Sequence, residues 1–382
     1  MLETFMSDKK VALLSSGLGH VKRGIESWTE DMGRALAERG VPVTVFKGGG
    51  VPVFNYEEVV PCLQRASKLS QWIIQHRPQR FMWRLGLNSG YSLEQMTFCW
   101  SLLLKLVYRQ FDIIHTQDPG VAMFCHKLNR MRLIRSKVIL AHGTEESFTF
   151  LNKLDYIQHL APFHLEEAEF NGVINKKSFA IGNFVDIGVF NSEKSLLLRE
   201  ELNIPSHAFV VLSVAAIKKH HKRIDHLIRE VAAVRDQNVY LVVAGAREME
   251  SDGVISEGRE ALGERVVFLV NFPRERINAL LAMADIFALC SLKEMMPIAL
   301  LEALSSGLPC LVHHYPVEEW MIGEGGESLD MARAGELARV IQKYMNVEYR
   351  LIKGLKAREQ AVTNFSKDVI INQVLKMYMD IL

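Results

Sequence analysis

Two glutamates, Glu294 and Glu302, stand eight positions apart in the stretch EMMPIALLEALSSGLP, residues 294–309. Carboxylates so spaced can act as acid and base on one bond, as two clamps on one extended ligand, or as the ordinary edge of a helix. The strand-like run IFALC ends at Cys290, the loop SLKEMM follows, and Pro297 suits a first helical turn. Glu294 then lies in the loop, and Glu302 lies five residues into the helix, about 7.5 Å further along its axis. A hydrolytic pair must flank one bond, whereas here one carboxylate sits behind the other. The spacing favours two ends of one ligand. The amides of Met295 and Met296 would face whatever lies between, and the helix dipole would favour an anion there.

Positive charge comes from another stretch. In SVAAIKKHHKRIDHLI, residues 213–228, a strand ends near Val214 and RIDHLI opens a helix. Lys218, Lys219, Lys222 and Arg223 therefore fall near the carboxyl edge of a sheet. Several cations beside a helix start can neutralise a diphosphate without metal, although such a run also serves as a solvated surface. The loop SSGLGHVKRG carries Gly17, Gly19 and Gly24, which let backbone approach phosphate or simply turn tightly. Its spacing is not the dinucleotide fingerprint, and the next strand ends in VFKGGG. Lys47 stands there in place of a ribose-binding carboxylate, which disfavours an NAD enzyme. No metal is implied. There is no acidic DxD cluster, and the pairs His220/His221 and His313/His314 lack carboxylate or thiolate companions at ligand spacing, so they read as loop or surface histidines.

Positioning these groups requires an alternating α/β chain. VALLSS, VPVTVF, FDIIHT and KVILAH are apolar runs, each followed by a polar loop, and helical spacing of Ile25, Trp28, Met32, Ala35 and Leu36 ends at Gly40. FVVLSV, VYLVVAG, VVFLV, IFALC and PCLV repeat the pattern, with helices near 222–235, 274–284 and 297–306. Such alternation predicts two doubly wound, Rossmann-like parallel sheets facing a cleft, with ligands beyond the carboxyl ends of the strands. The expected domains are 1–184, 185–365 and 366–382, a helix returning to the first domain. At 382 residues, 49% hydrophobic and 23% charged, the chain fits two folded domains. A net charge of +1 gives no nucleic-acid signature. Five scattered cysteines without a CxxC pair, and no basic-then-apolar leader in MLETFMSDKK, predict a cytoplasmic protein. The most apolar stretch, MTFCWSLLLKLVY, holds Lys105 and is too short to span a bilayer, so it reads as a buried helix.

Together these residues resemble the retaining glycosyltransferases of family 4, which have the GT-B fold. EMMPIALLEALSSGLP is similar to that family's E-x7-E signature. RGIESWTEDMGRALAERGVPVTVF resembles its first helix and second strand, AIGNFVDIGVF its hinge, HKRIDHLI its phosphate loop, and RINALLAMADIFALCSLKE its approach to the first glutamate. The resemblance implies transfer of a sugar from a nucleotide-diphosphate sugar with retained anomeric configuration, with no cofactor and no metal. By the same resemblance Glu294 would contact sugar hydroxyls, Glu302 the nucleotide ribose and Lys222 the diphosphate. Gly17 and Gly19 would admit the donor, and His142, in AHGTEE, would touch the sugar near the reacting carbon; its plainer reading is a loop-packing histidine. Lys222, Arg223 and helix-end amides would stabilise the charge on the leaving diphosphate. Two departures stand out. VAAIKK lacks the family's arginine before the phosphate lysine, leaving Lys218 or Lys219 to replace it, and EMMP lacks the glycines of the common EGFG turn.

The acceptor side is less marked. From Val59 to Leu93 there is no acidic residue, while Arg65, Lys68, Arg77, Arg80 and Arg84 interleave with Trp72, Ile73, Ile74, Phe81, Met82 and Trp83. Such a segment can rest on the inner face of an anionic membrane, grip an anionic acceptor, or form a core helix with a basic outer face, the reading slightly favoured. The acceptor is a carbohydrate, a lipid-linked compound or a small molecule. Two rival functions share the architecture: a nucleotide-sugar epimerase, and a non-catalytic partner subunit that binds nucleotide sugar.

Overall fold

The computed structural model describes residues 2–21, 24–76, 89–187 and 192–382. These form two compact units, Met1–Asn183 with Ile370–Leu382, and Phe184–Val369. In the N-terminal unit seven parallel strands run in the order β3 (Glu57–Val59), β2 (Val43–Lys47), β1 (Val11–Ser15), β4 (Ile113–Thr116), β5 (Lys137–His142), β6 (Tyr156–His159) and β7 (Lys177–Ala180). Every residue of β1 is buried, which requires cover on both faces and explains why VALLS is uninterrupted by polar groups. Val11 pairs with Val43 on one side and Ile113 on the other, so the winding direction reverses between β1 and β4.

The helix Gly24–Glu38 buries Trp28, Met32, Ala35 and Leu36, the face its spacing predicts. It stops where Gly40 takes a left-handed φ of 73° and the Val41 amide bonds back to the Leu36 carbonyl. The C-terminal helix Lys367–Ile381 enters this unit at Ile370, and its Tyr378 hydroxyl lies 2.8 Å from Nδ1 of the buried His115 on β4.

Two expectations change. The apolar stretch around Lys105 lies in the helix Gly90–Arg109 but is not buried all round. Phe98, Leu102 and Leu106 face the core, while Trp100, Leu104 and Tyr108 are 63%, 63% and 80% exposed. The described part of the basic segment does not form a core helix either. In Lys68–His76 only Ser70 is buried, and Leu69 and Trp72 are exposed. Arg77, Arg80, Phe81, Met82, Trp83 and Arg84 lie outside the described residues. Among the described residues no helix is long and apolar enough to cross a membrane.

In the C-terminal unit six parallel strands run in the order β10 (Val266–Val270), β9 (Val239–Gly245), β8 (Phe209–Val214), β11 (Ile286–Ala288), β12 (Cys310–His313) and β13 (Gly326–Leu329). Here the reversal falls between β8 and β11. The core packs Val211, Leu241, Val243, Ile286 and Leu311 against Leu227, Val231 and Ile341 of the covering helices. All five cysteines are free, and Cys99, Cys125, Cys290 and Cys310 are core residues.

Lys47, at the end of β2, forms a buried ion pair with Glu57, Nζ to Oε2 at 2.6 Å, and the same oxygen accepts the Val53 amide. The lysine that argued against a dinucleotide site thus holds an edge strand. Lys47→Met leaves a buried carboxylate without its cation and is expected to lower stability by about 3–5 kcal/mol. The double change Lys47→Met/Glu57→Gln should cost less than the single one, as read by urea unfolding.

Candidate functional site

In a doubly wound sheet the loops that follow the two strands flanking the reversal diverge and leave a crevice at their carboxyl ends. In the C-terminal unit these strands are β8 and β11. The loop after β8 carries Lys218 to Arg223, and the loop after β11 carries Glu294. Two contacts tie the loops together. Nε2 of His221 lies 3.0 Å from the Lys293 carbonyl, and Lys222 forms an ion pair with Oε1 of Glu294. Glu294 is only 9% exposed and Lys222 is half-buried, so each charge is largely removed from water and neutralised by the other.

Backbone geometry aims this loop. His221 and Arg223 have φ of 71° and 51°, left-handed values that side chains other than glycine adopt at a cost. The amides of Lys222, Arg223 and Ile224 bond back to the carbonyls of His220, Lys219 and Lys218, closing a tight coil that the helix Ile224–Ala232 continues. The amides of Lys219 and His220 both donate to Oε2 of Glu250, at 2.8 and 3.0 Å, and these bonds hold that carboxyl below its usual range.

The cations divide. Lys219 turns outward to Glu257 at 2.8 Å, so it does not replace the missing arginine at the crevice. Arg223, the residue preceding the helix, is half-buried and its Nη1 is buried with no hydrogen-bond partner among the described residues. Lys218 is half-buried in the same loop. On the other side Met295 is half-buried and Met296 buried, and Pro297 precedes the helix Ile298–Ser305, which places Glu302 on its fifth residue.

No sequence signal marked Glu318. It lies in the first turn of the helix Pro316–Ile322, after β12, the strand beside β11. It is fully buried, and neither carboxylate oxygen has a partner in another described residue. Burial pushes its carboxyl up to about 8; the negative Glu294 adds to the shift and Lys222 opposes it.

The N-terminal unit has its own arrangement at the β1/β4 reversal. The Ser16 amide donates to Oδ2 of buried Asp118 at 2.6 Å, and the Tyr91 hydroxyl to its Oδ1 at 2.7 Å. Arg65 was expected on a basic surface. Instead it stacks on Tyr91 and reaches fully buried Glu94, which also meets Nε2 of His20 at 2.9 Å. Burial opposes the charge on Glu94, yet bonds from Arg65 and His20 hold its carboxyl below the usual range. Gly17 is packed where an added Cβ would stand 2.2 Å from Glu26 and 2.8 Å from Arg65. Gly19, at φ 96°, lies against the Gly49 carbonyl.

His142 ends β5 and pairs in register with His159 of β6. Their Nδ1 atoms are 3.4 Å apart, and the ring of His164 is 6.3 Å from that of His142. Burial pulls His142 down to about 4 and His159 down to about 3, so both are neutral imidazoles at neutral pH. Among the described residues no group of three or more His, Cys, Asp or Glu is placed to hold a metal ion.

Comparison with known proteins matches residues 22–193 to the model of Glycosyltransferase Family 4 and residues 195–364 to that of Glycosyl transferases group 1. The chain belongs to the family 4 glycosyltransferases. Over 377 residues it is 24% identical to N-acetyl-alpha-D-glucosaminyl L-malate synthase of Bacillus anthracis, covering 92% of each chain. Its fold is similar to sucrose-phosphate synthase of Thermosynechococcus elongatus, with a TM-score of 0.78 at 17% identity over 98% of this chain and 99% of that one. It is also similar to HepE of Anabaena, solved with UDP-glucose, with a TM-score of 0.75 at 16% identity over 98% and 100%. The fold is GT-B, and this family 4 chain is a transferase rather than the epimerase or non-catalytic subunit considered as alternatives.

The buried histidines make this glycosyltransferase sensitive to acid. A chain unfolded at pH 5 binds protons on His142 and His159 that the folded chain excludes, so stability is present above pH 6.5 and falls as pH drops towards the folded values. His159→Gln is expected to lose less stability than the wild type between pH 6.5 and 4, by up to about 3 kcal/mol, in thermal or urea unfolding across that range.

Proposed function

We propose that this glycosyltransferase takes its sugar from a nucleotide-diphosphate sugar, with retention of anomeric configuration and without a metal ion. The observation that carries this reading is the Lys222–Glu294 pair joining the loops after β8 and β11. In this structure a largely buried ammonium and carboxylate satisfy each other. An arriving diphosphate competes for Lys222 with more negative charge than one carboxylate offers. Lys222 then faces the leaving oxygens, and Glu294 is free to accept hydroxyls of the sugar. Arg223, whose buried Nη1 has no hydrogen-bond partner among the described residues, adds a second cation beside the helix start. Glu302, about one turn into its helix, falls to the ribose, while His142, as a neutral imidazole, falls to the sugar.

The barrier in such a transfer is departure of the diphosphate from an oxocarbenium-like carbon. Cations fixed before the reaction stabilise that charge without reorganising. The UDP-glucose in HepE and the N-acetylglucosaminyl group named for the Bacillus anthracis relative agree with a nucleotide-sugar donor. The acceptor is a hydroxyl compound of carbohydrate, lipid-linked or small-molecule type; malate, named for that relative, belongs to the last class.

Calorimetric titration with UDP, GDP and ADP, each with magnesium and with EDTA, tests the donor side. One nucleotide is expected to bind equally well in both conditions, and Glu302→Ala to lose that binding. Lys222→Ala is expected to lower turnover on the order of 10²–10³-fold. An unchanged rate in that variant would remove Lys222 from the mechanism, and proton NMR of the product's anomeric centre reports retention or inversion.

A further inference from the structure

A carboxyl group buried without a hydrogen-bond partner is costly, and a folded protein retains one where it is used. Glu318 comes close to this: it is fully buried, neither oxygen is bonded to another described residue, and only its own amide and the charge of Lys222 oppose the effect of burial. It follows β12, whose neighbour β11 leads into the Glu294 loop, and its helix packs on the one that carries Glu302. The charges acting on it are Glu294, Lys222 and Glu319. Glu302 stands on the packed helix, and the following charged groups on the surrounding elements are engaged elsewhere. His313 of β12 accepts the Met331 amide, and Glu327 of β13 is paired with Lys343. On the helix Val347–Gln360, Arg350 binds Asp285, while Lys353 and Arg358 bind main-chain carbonyls. Glu319 is bonded to Ser328 and His314.

The Lys222–Glu294 pair poses a problem that Glu318 can solve. Once Lys222 leaves, Glu294 is a largely buried carboxylate without a counter-charge, and desolvated charges of this kind need a donor. We propose that Glu318 is a positioning residue for Glu294, offering it an O–H hydrogen bond when Lys222 turns to the diphosphate. The proton stays on Glu318 throughout, and Glu294 keeps its negative charge and one oxygen for the sugar. This rests on the reading of Lys222 given above. In the protonated state Glu318 adds no charge to compete with the diphosphate. Ionised, it would repel Glu294, hold Lys222 back and have no hydrogen to give.

The sign with pH follows. Glu318 carries its proton below about pH 8 and loses it above. Wild-type turnover is therefore expected to fall at alkaline pH, approaching about tenfold per pH unit once ionisation is complete. Glu318→Gln keeps a neutral donor of the same shape. It should retain turnover within about threefold at pH 7 and lack the fall up to pH 9. Glu318→Leu keeps the volume but has no donor, and below pH 8 its kcat should lie about tenfold or more under the wild type while circular dichroism shows a folded chain. The proposal is overturned if the Gln variant shows the wild-type alkaline fall, or if the Leu variant turns over like the wild type. Failure of the underlying reading has a different mark: Lys222→Ala would leave nucleotide binding and turnover unchanged, whatever the Glu318 variants do.

Discussion

The C-terminal unit is arranged around one ion pair, which the proposed function requires to break. Lys222 and Glu294 come from loops after different strands, β8 and β11, and they meet because the sheet reverses its winding there. The reversal itself depends on strands apolar on both faces, since only a sheet covered on both sides can run parallel throughout. Burial in β8, β9 and β11 therefore supports the chemistry as well as the fold. It fixes two loop origins side by side, so that a 72-residue separation in sequence becomes a hydrogen bond in space.

The strands themselves and the position of the Glu302 helix were legible in the sequence because both rest on periodicity. Runs such as VALLS and FVVLSV have few other structural readings, and IALLEALS behind a proline is a helix start. The two loops that carry Lys222 and Glu294 were legible for the same reason: a polar loop at the end of an apolar strand has a known place in such a sheet.

What was hidden has a common physical cause. Arg65 looked like part of a basic surface because its counter-charge, Glu94, is 29 residues away on another element. Lys219 looked like a phosphate ligand because nothing local shows that Glu257 takes its charge. His221 looked like a surface histidine, yet it joins the two loops through the Lys293 carbonyl. Glu318 reads in PVEEW as one of two acidic residues at a helix start, and composition cannot tell which is buried. The structure separates them: Glu319 is bonded to Ser328 at the surface, and Glu318 is enclosed. Charge identity is local information, whereas charge environment is a property of the fold.

The loop after β8 shows how such an environment is kept. Two residues with side chains, His221 and Arg223, hold left-handed backbone on either side of Lys222. Each such conformation costs on the order of 1–3 kcal/mol and persists only where its surroundings over-determine it. Those surroundings are Glu250, which binds two loop amides, the Lys293 carbonyl, and the helix that begins at Ile224. Glycine at either position would relieve the strain, but it would also let the loop move. In the proposed function rigidity matters, because there the lysine faces a carboxylate in one state and a more negative ligand in the other with little backbone rearrangement. A side chain that swings between two partners needs a fixed origin, and the strained residues beside it supply one.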